Sequence, residues 1–184
     1  MDKPEEIRTH PFEIAHVNYH TSRLKEMKAW YLTLLEGETV FANDDYAFLT
    51  YDQDFHRIAL IRESKLGDKS GREATAHHAA FAYASLEDLI HTYERLAEKG
   101  IHPVRIINHG PTISLYYRDP DGNQAELQVN NFGSMTEILK FLKTGRFAAD
   151  PIGIEFNIHR FIERLRKGAT KEELFHMTYE GELA

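Results

Sequence analysis

The 184-residue chain predicts an α+β fold: two βαβββ modules forming a curved mixed sheet, followed by a C-terminal helical extension. The first observation behind this is an internal repeat. An offset of 62 residues, from His16 to His78, superposes HVNYHTSRLKEMKAWYLTLLEG on the second-half segment HHAAFAYASLEDLIHTYERLAEKG. The second is periodicity, helical in the middle of each segment and strand-like after it. The third is a change to a purely helical pattern beyond Gly133.

Taken in order, each half opens on a short strand that carries a histidine, and a helix follows. In the first helix Leu24, Met27, Tyr31, Leu34 and Leu35 recur at helical spacing, with Lys28 as the exception. In the second the stripe is Leu86, Leu89, Ile90, Tyr93, Leu96 and Ala97. Ser22 and Ser85 stand where N-caps belong, and Gly37 and Gly100 where a glycine would stop the helix. Strand-like runs follow at Thr39 to Phe41, Tyr46 to Tyr51 and Arg57 to Ile61, then at Val104 to Ile107, Ile113 to Tyr117 and Gln124 to Val129. The last two are joined by Asp119-Pro-Asp-Gly, in which proline presets φ and glycine accepts a positive one. The modules so drawn run over about 13–63 and 74–132, within a domain of 13–132, and a charged stretch from Glu63 to Glu73 links them as an exposed connector. From 134 to 184 the chain reads as an extension of two or three helices, too short for a core of its own and suited to a lid or dimer contact. Ser134 with Glu137 and Thr170 with Glu173 have capping-box spacing there.

Composition narrows the chemistry. The chain has no cysteine, so any metal must be held by imidazole and carboxylate rather than thiolate. A formal net charge of -7 without a basic stripe argues against nucleic acid. No apolar run approaches the ~18 residues of a membrane span, and the charged segment Met1 to Thr9 lacks a signal-peptide core, so a cytoplasmic protein is expected. Eleven histidines are the unusual feature.

Because alternate strand residues share a face, His16 projects with Ile14, Asn18 and His20, and His78 with Ala80 and Ala82. The repeat places His16 and His78 at equivalent points, where facing modules would bring their imidazoles together. Within the pair His77 and His78, the alignment and the small residues on its face favour His78. Glu126, between Ala125 and Leu127 in a strand-like run, is a carboxylate that is costly to bury alone. A divalent metal held by His16, His78 and Glu126 accounts for all three. Either tyrosine of the alternating SLYY run can face inward.

The segments AHVNYHT, FHRIALI, HHAAFAYASLEDL and NHGPTISLYYRDPDGNQAELQV, in that order, resemble the vicinal oxygen chelate superfamily over roughly residues 13 to 132. Within it they are similar to the one-domain type I extradiol ring-cleaving dioxygenases of the 2,3-dihydroxybiphenyl dioxygenase kind. The resemblance implies that His16, His78 and Glu126 are a facial triad on non-haem iron(II), leaving three positions open. It implies that His56 manages protons at substrate and oxygen, that Tyr116 hydrogen-bonds a ring hydroxyl, and that His109 is a further active-site histidine. The spacing from His109 to Tyr116 differs from that of the best-known members by about two residues. The implied substrates are a small aromatic diol and O2, and a homo-oligomer is expected. Manganese(II) is the alternative metal, since the ligand types bind both.

Two other classes on the same fold compete: a non-catalytic antibiotic- or small-molecule-binding protein, and a metal-dependent glyoxalase or epimerase. A glyoxalase needs a carboxylate from each half. An offset of 67, from Ala59 to Glu126, puts an alanine where the first one would stand.

Overall fold

A computed structural model describes residues 11–69 and 75–183, which fall into two compact units, 1–68 and 69–184. Each unit has its own mixed sheet.

In the first unit β1 (Val17–Thr21) leads into α1 (Leu24–Leu35), and β2 (Glu38–Ala42), β3 (Tyr46–Thr50) and β4 (Ile58–Arg62) follow. The order across the sheet is β1-β4-β3-β2, with β1 parallel to β4 and the other neighbours antiparallel. The helix stripe predicted from the sequence is the buried one. Leu24, Met27, Tyr31 and Leu34 pack with Ala47 and Leu49 of β3 and Ile58 and Leu60 of β4, while Lys28 stays partly exposed. The caps differ from expectation by one residue. Arg23 is the N-cap and has no side-chain cap bond, whereas Thr21 Oγ1 accepts from its amide at 2.9 Å. At the other end Glu36, with φ 52°, adopts the left-handed conformation expected of Gly37. Gly37 is required for another reason: a Cβ there would lie 2.5 Å from the Thr50 carbonyl oxygen.

The second unit repeats the plan. β5 (His78–Ala82), α2 (Leu86–Glu98), β6 (Arg105–Asn108), β7 (Thr112–Arg118) and β8 (Gln124–Asn130) form a sheet ordered β5-β8-β7-β6, with β5 parallel to β8. Ser85 caps α2 by accepting from the Asp88 amide, and Gly100 takes φ 73° past its end. The Asp119-Pro-Asp-Gly turn forms as read, with Asp119 accepting from the amides of Asp121 and Asn123 and Gly122 at φ 80°. Ile113, Leu115 and Tyr117 of β7 and Ala125, Leu127 and Val129 of β8 are buried on the face that carries α2. The opposite face holds Ser114, Tyr116, Gln124, Glu126 and Gln128, brought side by side by the β7–β8 register.

The extension belongs to this unit. α3 (Met135–Leu142), the single turn α4 (Arg146–Ala149), α5 (Ile158–Arg166) and α6 (Lys171–Tyr179) are its helices. Between them β9 (Ile154–Glu155) adds a strand beside β6 that no sequence pattern announced. Thr170 and Glu173 form both bonds of the capping box; at α3, Ser134 accepts from the Glu137 amide, but Glu137 reaches the Gly133 amide instead. Phe141, Phe175 and Tyr179, with Phe132, Leu142 and Phe147 around them, make a small aromatic cluster. The connector is exposed where described, over 63–69; residues 70–74 of the predicted stretch lie outside the described residues, as do 1–10 and 184. Among the described residues, no helix is long and apolar enough to cross a membrane.

Tyr117 tests the packing of this unit. Its hydroxyl is buried with no hydrogen-bond partner among the described residues, and burial pushes its ionisation well above the usual phenol range. Removing an unsatisfied buried hydroxyl while keeping the ring is expected to stabilise the fold, so Tyr117→Phe should gain about 1 kcal/mol in urea unfolding. A loss of similar size would mean that a bound water holds the hydroxyl.

Candidate active site

In the first unit the sequence-predicted residues His16 and His56 come together, their ring centroids 4.5 Å apart. His16 lies just before β1, and His56 in the loop between β3 and β4. Phe48 stacks on His56 at 5.0 Å, and Phe55 meets it edge-on at 4.7 Å. Burial first, and then the neighbouring His16, pull the His56 imidazole below its ordinary range, so it is neutral near pH 7 and able to accept a proton. Its Nδ1 is buried and has no hydrogen-bond partner among the described residues.

Sequence reasoning missed the residue that joins these two histidines. Arg57 pairs with Asp52 at 2.9 Å, with Asp54, and with Glu13 at 3.1 Å, and it donates to the Ala15 carbonyl at 3.2 Å. The hydrogen bond to Asp52, followed by the one to Glu13, holds its guanidinium ionisation above the ordinary value. One side chain thus ties the segment entering His16 to the loop carrying His56. Asp52, Asp54 and Arg57 are close in sequence, but nothing there announces Glu13 or the Ala15 carbonyl.

In the second unit His78, Glu126, Tyr116 and His109 form one connected group. Ala80 is register partner to Glu126, so His78, two residues earlier on β5, shares its face. His78 Nε2 lies 2.9 Å from Glu126 Oε2, and Glu126 is 5% exposed. Glu126 is flanked by core residues in sequence, yet its own sheet face is polar. Opposite it on β7 is Tyr116, whose ionisation is pushed up to about 12 by burial and by the Glu126 carboxylate. The ambiguity of the SLYY run resolves with Tyr116 on the polar face and Tyr117 in the core. The Tyr116 hydroxyl lies 2.9 Å from His109 Nε2.

His77 meets Gln124 and His78. Its Nε2 meets Gln124 Nε2 at 3.0 Å and its Nδ1 meets His78 Nδ1 at 2.8 Å, which makes it the outer partner of His78. Within neither unit do the described residues gather three histidine, aspartate or glutamate side chains into a metal-holding group. The pair in the second unit fits a metal: two donors on bonds of ~2.1 Å at right angles stand about 3.0 Å apart, close to the separation of His78 Nε2 and Glu126 Oε2. The register also locates the counterpart of Glu126. Asn18 pairs with Ala59 in the first sheet as Ala80 pairs with Glu126 in the second, so that place holds an alanine, 2% exposed.

Comparison with known proteins places this chain in a family. Residues 13–127 match the model of the Glyoxalase/Bleomycin resistance protein/Dioxygenase superfamily. The chain belongs to that superfamily. Among its members, biphenyl-2,3-diol 1,2-dioxygenase 2 of Rhodococcus globerulus is 38% identical over 146 residues, 79% of this chain and 77% of that one. Biphenyl-2,3-diol 1,2-dioxygenase 3 of the same organism is 38% identical over 163 residues, 88% and 86% of the two chains. The second match covers 88% of the 184 residues, so at most about 22 lie outside it and it reaches into the helical extension. A solved superfamily domain from Frankia sp. EAN1pec aligns with a TM-score of 0.56 at 20% identity, covering 70% of this chain and 99% of that one, which supports the fold.

Proposed function

We propose that this superfamily member is an extradiol ring-cleaving dioxygenase that binds a catechol-type diol at iron(II) held by His16, His78 and Glu126. The carrying observation is the pairing of His78 with the buried Glu126 beside Tyr116 and His109, in a chain 38% identical to biphenyl-2,3-diol dioxygenases. Two neutral imidazoles and one carboxylate suit iron(II), with manganese(II) as the alternative. The bound metal would chelate the two vicinal oxygens, favour their ionisation and admit O2 beside the ring, so that both oxygen atoms enter next to the hydroxyls.

The chain's own groups do the rest. His77 Nδ1, 2.8 Å from His78 Nδ1, is the outer neighbour that orients the His78 ring. Tyr116, protonated across the physiological range, gives its own hydrogen to His109 Nε2 and presents its oxygen to accept from a substrate hydroxyl. His56, neutral and packed against Phe48 and Phe55, accepts a proton and returns it. The alanine at position 59 removes the second carboxylate a glyoxalase-type site would need.

The test is anaerobic loading with iron(II), then mixing with a panel of catechols in air while oxygen uptake and yellow product are followed. Uptake with 2,3-dihydroxybiphenyl or a related diol is expected. A chain that retains iron but takes up no oxygen with any catechol would overturn the proposal.

A further inference from the structure

We infer that the C-terminal extension is the positioning frame of His109, its Ile152 carbonyl fixing the imidazole with the proton on Nδ1 so that Nε2 is left to accept from Tyr116. The inference rests on the functional reading above only for the role it gives His109.

Three consecutive residues at the end of β6 are gripped by the extension. Asn108 Nδ2 donates to Thr178 Oγ1 of α6 at 2.6 Å, in the buried interior. Gly110 lies so close to Phe141 of α3 and Tyr179 of α6 that a Cβ would stand 2.6 Å and 3.2 Å from their rings. Between them, His109 Nδ1 lies 2.5 Å from the Ile152 carbonyl oxygen. A carbonyl only accepts, so Nδ1 carries the hydrogen; in a neutral imidazole the other nitrogen then has a bare lone pair. That lone pair faces the Tyr116 hydroxyl at 2.9 Å. An unconstrained neutral histidine prefers its proton on Nε2, the arrangement that would leave Tyr116 without this acceptor.

The carbonyl is itself held in place. Asp150 Oδ1 accepts from the Ile152 amide at 3.2 Å and from the Gly153 amide at 3.0 Å. Gly153 has φ 85° and passes so close to β6 that a Cβ would lie 2.2 Å from the Asn108 carbonyl oxygen and 2.7 Å from His109 Cα. Immediately after it, Ile154 pairs with Asn108 and Glu155 with Ile107. The Ile152 side chain is 54% exposed, so its backbone, not its packing, is what the site uses. Asp150 and Gly153 are therefore positioning residues, acting through His109.

The experiment labels the histidines of the full chain with 15N and reads which nitrogen of His109 bears the proton from two-bond proton–nitrogen spectra, with His109→Gln giving the assignment. The proton is expected on Nδ1 in the unsubstituted chain. In Asp150→Ala and Gly153→Ala it should move substantially to Nε2, and Asp150→Asn, which keeps the accepting oxygen, should restore Nδ1. Should Gly153→Ala fail to fold, the exposed Asp150 carries the test alone. In turnover, Asp150→Ala should lower kcat by about tenfold at unchanged iron content, the size usual for losing an outer partner of an active-site group, and Asp150→Asn should recover it. A proton on Nε2 in the unsubstituted chain, an unaltered tautomer in both variants, or an Asp150→Asn that behaves as Asp150→Ala would overturn the inference. Because the tautomer is read without substrate, the predicted spectra in a chain that cleaves no catechol would sink the functional reading and leave this one standing.

Discussion

Glu126→Ala is expected to abolish iron retention while leaving the fold in place. Glu126 sits on a central strand, 5% exposed, with His78 and Tyr116 as neighbours, and in the proposed triad it supplies the only negative charge. Replacing it leaves two neutral imidazoles for a doubly charged ion. Loss of an outer partner of a metal ligand already costs about 10- to 100-fold in affinity, and loss of the ligand itself should cost more. Glu126→Gln keeps the volume and an accepting oxygen but not the charge, so it should fall between. Iron per chain after anaerobic loading and gel filtration reads the effect, with circular dichroism as the control for folding. A second signature does not depend on iron. The carboxylate is one cause of the raised Tyr116 ionisation, so removing it should bring that phenol down from about 12, visible by ultraviolet difference titration against Tyr116→Phe. Normal iron retention in Glu126→Ala would remove Glu126 from the ligand set.

His56→Ala should have the opposite profile, keeping iron and losing turnover. Nothing in the reading makes His56 a ligand, and its neutral imidazole beside His16 is placed for proton transfer, which typically contributes ~100- to 10,000-fold. The ring also packs against Phe48 and Phe55, so alanine would leave a hole as well as remove a base. His56→Phe separates the two effects, since it preserves the aromatic packing and cannot carry a proton. Both variants should fall by a similar factor in kcat with iron content unchanged. If His56→Phe turns over normally, His56 has no part in proton transfer.

The modular plan was legible because it is written in side chains. Apolar residues at helical spacing around Tyr31 and Tyr93, alternation around Leu115 and Leu127, and a turn of fixed chemistry at Asp119 each reflect burial or φ, which the sequence records directly. The offsets linking His16 to His78 and Ala59 to Glu126 were legible for the same reason, and the strand registers reproduce them. What could not be read is carried by backbone atoms or by distant partners. The first helix starts one residue later than Ser22 implied because Thr21 satisfies the Arg23 amide, and it ends on a left-handed Glu36 because Gly37 is needed against the Thr50 carbonyl. β9 is two residues of backbone pairing with no periodicity to reveal it. The acceptor for His109 is a carbonyl 43 residues away, and a carbonyl belongs to every residue type. Arg57 reads only as the first residue of a strand-like run, since its partner Glu13 lies 44 residues earlier.

The most direct test of ring cleavage by this chain is the fate of oxygen. The iron(II)-loaded protein is mixed with 2,3-dihydroxybiphenyl under 18O2, quenched rapidly, and the product weighed by mass spectrometry. An extradiol dioxygenase places both atoms of one O2 in a yellow ring-opened product, so a mass increase of two labelled oxygens is predicted. A product without label, or a diol merely oxidised with its ring intact while oxygen is consumed, would contradict the account.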